Sequence, residues 1–327
     1  MVTSVVNMAK SEMLAIDFET ASGRDAVCAV GLYYFGGDEV ISEHHLIDPE
    51  IDASDWDSMA MLIHGIRPAD VIGAPNFPAI WKRIEGLSKD SVLLAHNAGF
   101  DMSVLRSSFA RYGMTPGEIT YLCSAKIAKK TWPEIPTTRL DYLADLLDIE
   151  FVHHNPEEDA IASATIFKKA VLKRYGPDST QVDLENFINE IGLQFGHIYS
   201  DLNYKPCGVP GHKNSSKPSK KTIDYEPDPS RIIDESHPLF GAKVAFTGTL
   251  TSMNRTEAFM RLMDYGGDPE TNVTKKTNYL VLGEQDLWKF KPGSEVSSKM
   301  QKAIELAESG QEIEIIGEQD FLKLILS

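Results

Sequence analysis

The chain contains 327 residues, of which 42% are hydrophobic, so it can bury a full core and more than one domain. Its formal net charge of -16 argues against non-specific coating of nucleic acid, because phosphate contacts need cations, although it leaves room for a protein that holds phosphates through metal ions. Three cysteines, Cys28, Cys123 and Cys207, are too few and too scattered for a disulfide scaffold or a four-ligand zinc site.

The chain order of strand-like and helix-like segments predicts two α/β domains. Residues 11–176 alternate such segments densely and are expected to form the first domain, and residues 237–327 repeat the pattern over a shorter length. No signal peptide and no apolar run of membrane-spanning length is visible in the sequence. We therefore expect a soluble, cytoplasmic protein in a reducing compartment, without a membrane partner.

The intervening residues 177–236 are predicted to be partly helical and then a flexible basic linker. The helical part is the moderately amphipathic stretch from Val182 to Phe195, and the linker includes "KPCGVPGHKNSSKPSKKT", which is too polar to fold alone. Its lysines, expected to be exposed, are Lys205, Lys213, Lys217, Lys220 and Lys221.

The first strand of the chain carries two acidic residues on one face. In "MLAIDFET", the alternation of side chains places Asp17 and Glu19 on the face opposite Ile16 and Phe18. A single D-x-E pair is more often a solvated strand edge. On a buried face, however, two unpaired acids would be costly.

A second acidic position follows the next buried-type strand. "SVLLAHNAGFD" indicates a strand that ends at His96 and a helix that starts near Phe100, with Asp101 in its first turn. The positive end of the helix dipole is a sufficient structural explanation for Asp101 taken alone.

The third acidic position lies in "HHNPEEDA", residues 153–160. Asn155 is a good N-cap, Pro156 suits the first helical position and Glu158 follows three residues after the cap, so a helix is predicted from here to about Arg174. Asp159 lies one turn into the expected packed face, where a cap does not explain it. The two preceding histidines, residues 153 and 154, have no structural role that the pattern identifies.

Strand ends and helix starts are where an α/β sheet gathers its functional side chains, so Asp17, Glu19, Asp101 and Asp159 are predicted to converge. Four carboxylates suit hard divalent cations, Mg²⁺ or Mn²⁺, which prefer oxygen ligands and relieve the mutual repulsion. Two such ions can clamp the attacking and leaving oxygens of a phosphodiester. A histidine beside the acids is the natural general base for the water.

The strings "DFET", "AHNAGFD" and "HNPEEDA" resemble the three motifs of the DEDDh exonuclease superfamily, typified by the proofreading epsilon subunit of bacterial DNA polymerase III and by ribonuclease T. The resemblance covers roughly Glu12 to Tyr175. It implies a ribonuclease H-like mixed sheet flanked by helices, two bound metal ions, and His154 as the general base, because that histidine lies five positions before the last aspartate. Pro156 and Glu157 depart from the small residue and leucine usual in the family, which affects loop shape more than chemistry.

The same resemblance implies contacts with the substrate. "LIHGI" matches the family's loop beside the terminal nucleotide, so we expect His64 and His96 to contact substrate, and Thr20 and Phe18 to line the terminal-nucleotide pocket. The structural alternatives are satisfied polar histidines near turns and, for Phe18, a core position.

The second domain resembles BRCT domains of the kind found in bacterial NAD-dependent DNA ligase and in the clamp-loader large subunit. The resemblance rests on the segments "LFGAKVAFTGTL", "VTKKTNYLVLG", "SSKMQKA" and "IEIIGEQDFL", within Pro238 to Ile325. The resemblance implies a four-stranded parallel sheet. It also implies a phosphate site made of a hydroxyl, a free backbone N–H and two cations. The matching positions are Thr247, Gly248, Arg255 and Lys299; the alternative is a plain turn and a solvated lysine.

Together these patterns predict a metal-dependent 3′→5′ exonuclease that acts on single-stranded DNA or 3′ ends during replication, repair or proofreading. The BRCT module would recruit it to a DNA 5′-phosphate or a protein partner. One alternative is an RNA-trimming exonuclease, because the residue that reads the 2′-hydroxyl is not visible in sequence. Another is a scaffold with a degenerate nuclease domain, which the presence of all four acids and the histidine opposes.

Overall fold

The structure is a computed structural model that describes residues 12–36, 39–89, 91–135, 137–150, 155–177, 182–210, 225, 237–283 and 297–326. The chain divides into two compact units. Described residues 12–132 and 140–210 belong to the first, and residues 237–326 to the second. None of the helices described combines the length and apolar character needed to cross a bilayer.

Seven of the described strands form the mixed sheet of the first unit. They are β1 (Met13–Ser22), β2 (Ala26–Phe35), β3 (Ile41–Leu46), β4 (Val92–Ala95), β5 (Ile119–Cys123), β6 (Gly196–Ile198) and β7 (Tyr204–Lys205), in the order β3-β2-β1-β4-β5-β6-β7. The central strands β1, β4 and β5 are parallel, and the outer pairs are antiparallel. β1 is buried along almost its whole length, as expected of a strand covered on both faces.

Helices cover both faces of this sheet. They are α1 (Ser58–His64), α2 (Phe77–Ser88), α3 (Gly99–Arg111), α4 (Ser124–Thr131), α5 (Leu140–Leu146), α6 (Pro156–Tyr175) and α7 (Leu184–Glu190). Leu14, Ile16 and Phe18 of β1 share one apolar core with α2 and α3. On the opposite face α6 packs against β1 and β2, with the rings of Phe35 and Phe167 6.2 Å apart.

The sheet of the first unit extends beyond the sequence-based boundary. The prediction ended the first domain at residue 176 and described residues 177–236 as partly helical and then a linker. The helix α7 lies within the predicted helical stretch, but the sheet continues beyond it into β6 and β7, which extend it from β5. Strands of three and two residues are too short to produce a visible alternation of hydrophobicity. Their place is decided by pairing with β5, where the ring of Tyr121 lies over Gly196.

The second unit contains a parallel four-stranded sheet in the order β11-β10-β8-β9, as predicted. Its described elements are β8 (Lys243–Thr247), α8 (Arg255–Asp264), β9 (Asp268–Glu270), β10 (Tyr279–Leu282), α9 (Ser298–Glu308), β11 (Glu314–Gly317) and α10 (Glu318–Leu326). One face of the sheet packs on α9. Phe246 of β8 packs on the other side against Phe259 of α8 and Phe321 of α10.

Candidate functional site

Two carboxylates of β1 lie on the face that α6 covers. Asp17 pairs with Gly31 of β2 and Glu19 pairs with Ala29, and the register shifts immediately after Glu19. Asp17 is 9% exposed and Glu19 is 2% exposed. The strand alternation predicted from the sequence is therefore present, and the acids lie on a buried face, where charge is expensive unless a partner compensates it.

The third carboxylate comes from the first turn of α6. Asn155 caps this helix as predicted: its Oδ1 accepts hydrogen bonds from Glu157 N at 3.1 Å and Glu158 N at 3.4 Å. The backbone N–H of Asp159 donates to Asn155 O at 2.8 Å, which fixes the turn that carries the Asp159 side chain. Asp159 is 1% exposed.

These acids form a compact cluster. One oxygen each of Asp17, Glu19 and Asp159 lies within 4.8 Å of the others. Three buried carboxylates this close repel one another, and a divalent cation among them would remove the repulsion. The set offers oxygen donors alone, which fits Mg²⁺ or Mn²⁺.

Asp101, the fourth predicted acid, is not a member of the three-carboxylate cluster but contacts the backbone of β1. It lies in the first turn of α3, as predicted, and is almost fully buried. Its Oδ1 accepts a hydrogen bond at 3.1 Å from the N–H of Phe18, the residue between Asp17 and Glu19. The contact ties the start of α3 to the strand that carries the other acids, although it joins residues 83 positions apart.

The predicted general base, His154, and its neighbour His153 lie outside the described residues. The role of His154 therefore stays a prediction from its spacing to Asp159.

The charge of Glu19 acts on the buried thiol of Cys28. Burial raises the pKa of this thiol well above its ordinary value, and the Glu19 carboxylate adds to the rise.

His64 is held by the protein through both ring nitrogens. Nδ1 accepts a hydrogen bond from Ile66 N at 3.0 Å, so the ring proton of the neutral form is on Nε2, which donates to Thr20 O at 3.2 Å. The histidine thus ties the loop after α1 to the end of β1. This arrangement corresponds to the structural alternative, and a substrate contact of His64 or Thr20 stays a prediction.

The side chain of Phe18 is fully buried in the apolar core. This differs from the expected pocket-lining role, because alternation along β1 points the ring away from the carboxylate face. The contribution of Phe18 to the site is its backbone N–H.

His96 connects to two serines that the sequence reasoning missed. Its Nδ1 lies 2.8 Å from Ser124 Oγ, and Ser163 Oγ donates to Ser124 Oγ at 3.0 Å. The Ser124 proton is then directed to Nδ1, which leaves the proton of a neutral His96 on Nε2. Ser163 lies one helical turn after Asp159, but a serine on a helix face carries no sequence signal for this role.

The second unit brings its predicted residues together around one turn. Arg255 Nη1 and Lys299 Nζ both donate to Phe246 O, at 2.7 and 2.8 Å, and Arg255 Nη2 donates to Gly248 O. Burial lowers the pKa of both cations, and the charge of Arg255 lowers that of Lys299 further. Two cations at one carbonyl make a position of positive potential.

A pair of hydroxyls adjoins these cations. Thr247 Oγ1 lies 2.9 Å from Ser297 Oγ, and Gly248 has a φ of 72°. That conformation favours glycine, so the Thr247–Gly248 turn depends on this residue.

The sheet order, the flanking helices and the carboxylate cluster define the first unit as a ribonuclease H-like nuclease fold. Residues 14–167 match the family described as Exonuclease, and residues 235–325 match the BRCA1 C Terminus (BRCT) domain. The protein therefore combines an exonuclease domain of the DEDDh type with a BRCT domain.

Curated relatives carry related names. A Mycobacterium tuberculosis (strain CDC 1551 / Oshkosh) protein named as a bifunctional exonuclease/endonuclease is 26% identical over 268 residues, which cover 76% of this chain and 37% of that protein. A PolC-type DNA polymerase III of Caldanaerobacter subterraneus subsp. tengcongensis is 27% identical over 169 residues, which cover 50% of this chain and 12% of that protein. A DNA ligase of Legionella pneumophila (strain Corby) is 38% identical over 102 residues, which cover 31% of this chain and 13% of that protein. The chain thus spans well under half the length of these relatives.

Proposed function

We propose that this protein is a metal-dependent 3′→5′ exonuclease that removes nucleotides from DNA ends. The observation that carries the proposal is the buried cluster of Asp17, Glu19 and Asp159 in a domain of the exonuclease family. Three buried carboxylates within 4.8 Å of one another offer oxygen donors to a divalent cation, which would offset their mutual repulsion.

The chain's own residues divide the work as follows. Asp17, Glu19 and Asp159 would hold the metal through their carboxylate oxygens, and Asp101 would complete the set while its hydrogen bond to Phe18 N keeps β1 and α3 in register. Two bound Mg²⁺ or Mn²⁺ ions would neutralise charge on the attacking and leaving oxygens and lower the pKa of the attacking water. His154 would take the proton from that water. His96, with its proton on Nε2, would donate a hydrogen bond to the substrate.

A direct test uses a single-stranded DNA and an RNA of the same sequence, each labelled at the 5′ end. With Mn²⁺, the DNA should shorten stepwise from its 3′ end, EDTA should stop the reaction, and a 3′-terminal block should protect the strand. Asp17→Asn is the matched inactive control, because it removes one charge and keeps the shape. Shortening from the 5′ end would contradict the polarity, and faster digestion of the RNA would identify an RNA-trimming enzyme.

For the BRCT domain we propose an anion site that binds a phosphate group, with a DNA 5′-phosphate as the expected source. Lys299 and Arg255 supply the charge, and the Thr247 hydroxyl with the Gly248 backbone supplies hydrogen-bond donors. Wild-type protein inactivated by EDTA should bind a 5′-phosphorylated duplex more tightly than its dephosphorylated form, and Lys299→Glu should abolish the difference. Equal binding of both ends by the wild type would leave protein docking as the role of the domain.

A further inference from the structure

Gly31 lies directly opposite Asp17 in the antiparallel pair of β1 and β2. Paired residues in such a ladder project to the same face of the sheet. A side chain at position 31 would therefore extend over the face that carries Asp17 and Glu19 and that α6 covers.

The first turn of α6 occupies that space. A Cβ added to Gly31 would lie 1.9 Å from Pro156 O, 2.0 Å from Pro156 C and 2.3 Å from Glu157 N, whereas real Cβ atoms essentially never approach within 3.0 Å of another atom. The obstructing atoms are all backbone, so no rotation of a neighbouring side chain relieves the overlap. Gly31 does not have a positive φ, and the need for glycine here arises from space alone.

The depth of this turn determines where Asp159 lies. Asp159 is three residues after Pro156, and its N–H is bonded to Asn155 O, so the carboxylate moves with the backbone that contacts Gly31. Any residue larger than glycine would force the turn and β2 apart until the distance from the new Cβ to Pro156 O rises from 1.9 Å to at least 3.0 Å. Metal–ligand distances tolerate about 0.2 Å.

We propose that Gly31 is a positioning residue of the metal site: by lacking a side chain, it lets the first turn of α6 sit on β2 closely enough for Asp159 to meet Asp17 and Glu19. This inference rests on the proposed metal-dependent function. It gives Gly31 no contact with substrate or metal.

The test measures Mn²⁺ binding to the full chain by titration calorimetry, which requires no turnover. Gly31→Ala should weaken binding by about 10- to 100-fold, the range typical when a supporting residue of a metal site is changed. Gly86→Ala, in α2 with nothing within 4 Å of the added methyl, should bind like the wild type. Gly196→Ala is the steric control, because its methyl would lie 2.2 Å from Tyr121 Cζ in the same sheet but on the strand β6. It should lower stability without weakening Mn²⁺ binding.

A compensating substitution separates displacement from general damage. Asp159→Glu alone should weaken Mn²⁺ binding, but combined with Gly31→Ala it should recover part of the lost affinity, because the longer side chain spans the gap left by the displaced turn. Equal Mn²⁺ affinity of Gly31→Ala and the wild type would overturn the positioning role, as would global unfolding of Gly31→Ala while Gly196→Ala folds. Absence of Mn²⁺ binding by the wild type would instead overturn the proposed metal site.

Discussion

Asp159 and Glu158 are neighbours in the first turn of α6, yet their environments differ sharply. The helix dipole stabilises an acid at either position. Glu158 remains partly exposed, whereas Asp159 is buried beside Asp17 and Glu19. One residue along the helix separates the partly exposed acid from the acid proposed to bind metal, because successive residues point about 100° apart.

The charge of the cluster is expected to cost stability when no metal is bound. Asp17→Asn and Asp159→Asn should each abolish hydrolysis and, in EDTA, raise the free energy of unfolding by about 1 kcal/mol, because each removes one of three like charges. Urea unfolding followed by circular dichroism measures the change. Glu158→Gln is the matched control on the same turn and should leave both stability and hydrolysis near the wild-type values; a Glu158 effect as large as that of Asp159 would contradict the assignment.

Lys299 should make phosphate binding depend on pH. Burial, with a contribution from Arg255, lowers the pKa of Lys299, so the free protein loses this charge at a lower pH than an ordinary lysine does. A bound phosphate favours the charged form, and affinity for the 5′-phosphorylated duplex should therefore fall as pH rises through the lowered pKa of the free protein.

The measurement is a titration of fluorescent duplex at several alkaline pH values, with Lys299→Arg as the matched variant. Arginine keeps its charge over this range, so the variant should bind phosphate with a flatter pH profile. An identical profile for both proteins would assign the pH dependence to another group.

At the scale of the element, the start and end of α6 are predictable from nearby residues, whereas its close packing on β2 is not. The cap and the proline mark the start of the helix, and Gly176 follows its end. The helix runs from Pro156 to Tyr175, close to the prediction. The strands β6 and β7, which fall in the segment predicted to be partly helical and then a linker, were missed for the opposite reason. β6 and β7 are too short to show an alternation of hydrophobicity. They belong to the sheet because β6 pairs with β5 and β7 pairs with β6.

The two asparagine caps of the first unit allow a comparison between elements. Asn155→Ala should lower the free energy of unfolding by about 1 kcal/mol and also weaken Mn²⁺ binding, because the cap orders the turn that carries Asp159. Asn76 caps α2 by accepting from Ala79 N, and Asn76→Ala should cost a similar amount of stability with unchanged Mn²⁺ affinity. Urea unfolding and calorimetry give the two quantities. Parallel losses of Mn²⁺ affinity in both variants would show that the cap acts through global stability.

At the scale of the whole molecule, the sequence predicts that brief trypsin treatment releases two folded pieces. The expected cleavage sites are Lys213, Lys217, Lys220 and Lys221, which lie outside the described residues. Lys205 was included with them in the sequence prediction, but it pairs with His197 in β7 and is no longer expected to be cut early.

The N-terminal piece would retain the whole seven-stranded sheet and should digest short oligonucleotides at the wild-type rate. It should lose any preference for phosphorylated targets, because the tether converts BRCT binding into a raised local concentration of substrate. Gel analysis and initial rates on paired substrates measure both effects. Loss of hydrolysis on short oligonucleotides after cleavage would show that the nuclease domain needs the second domain.

Features that depend on neighbouring residues could be predicted from the amino-acid sequence. Strand alternation put Asp17 and Glu19 on one face, the Asn155 cap started α6, and the helix start after His96 carried Asp101, because each depends on residues within a few positions. The alternation of strand-like and helix-like segments predicted two α/β domains, and the resemblance to BRCT domains implied the parallel sheet of the second.

Contacts between segments distant in sequence, and the close packing of those segments, were determined only by the tertiary structure. Asp101 accepts a hydrogen bond from Phe18 N across 83 residues, His64 Nε2 donates to Thr20 O across 44 residues, and Gly31 leaves space for the start of α6. None of these contacts has a local pattern, because each depends on how two segments distant in sequence approach one another. A glycine inside a strand does indicate a close backbone approach, but only the packing of α6 on β2 shows that the approaching backbone is the turn that carries Asp159.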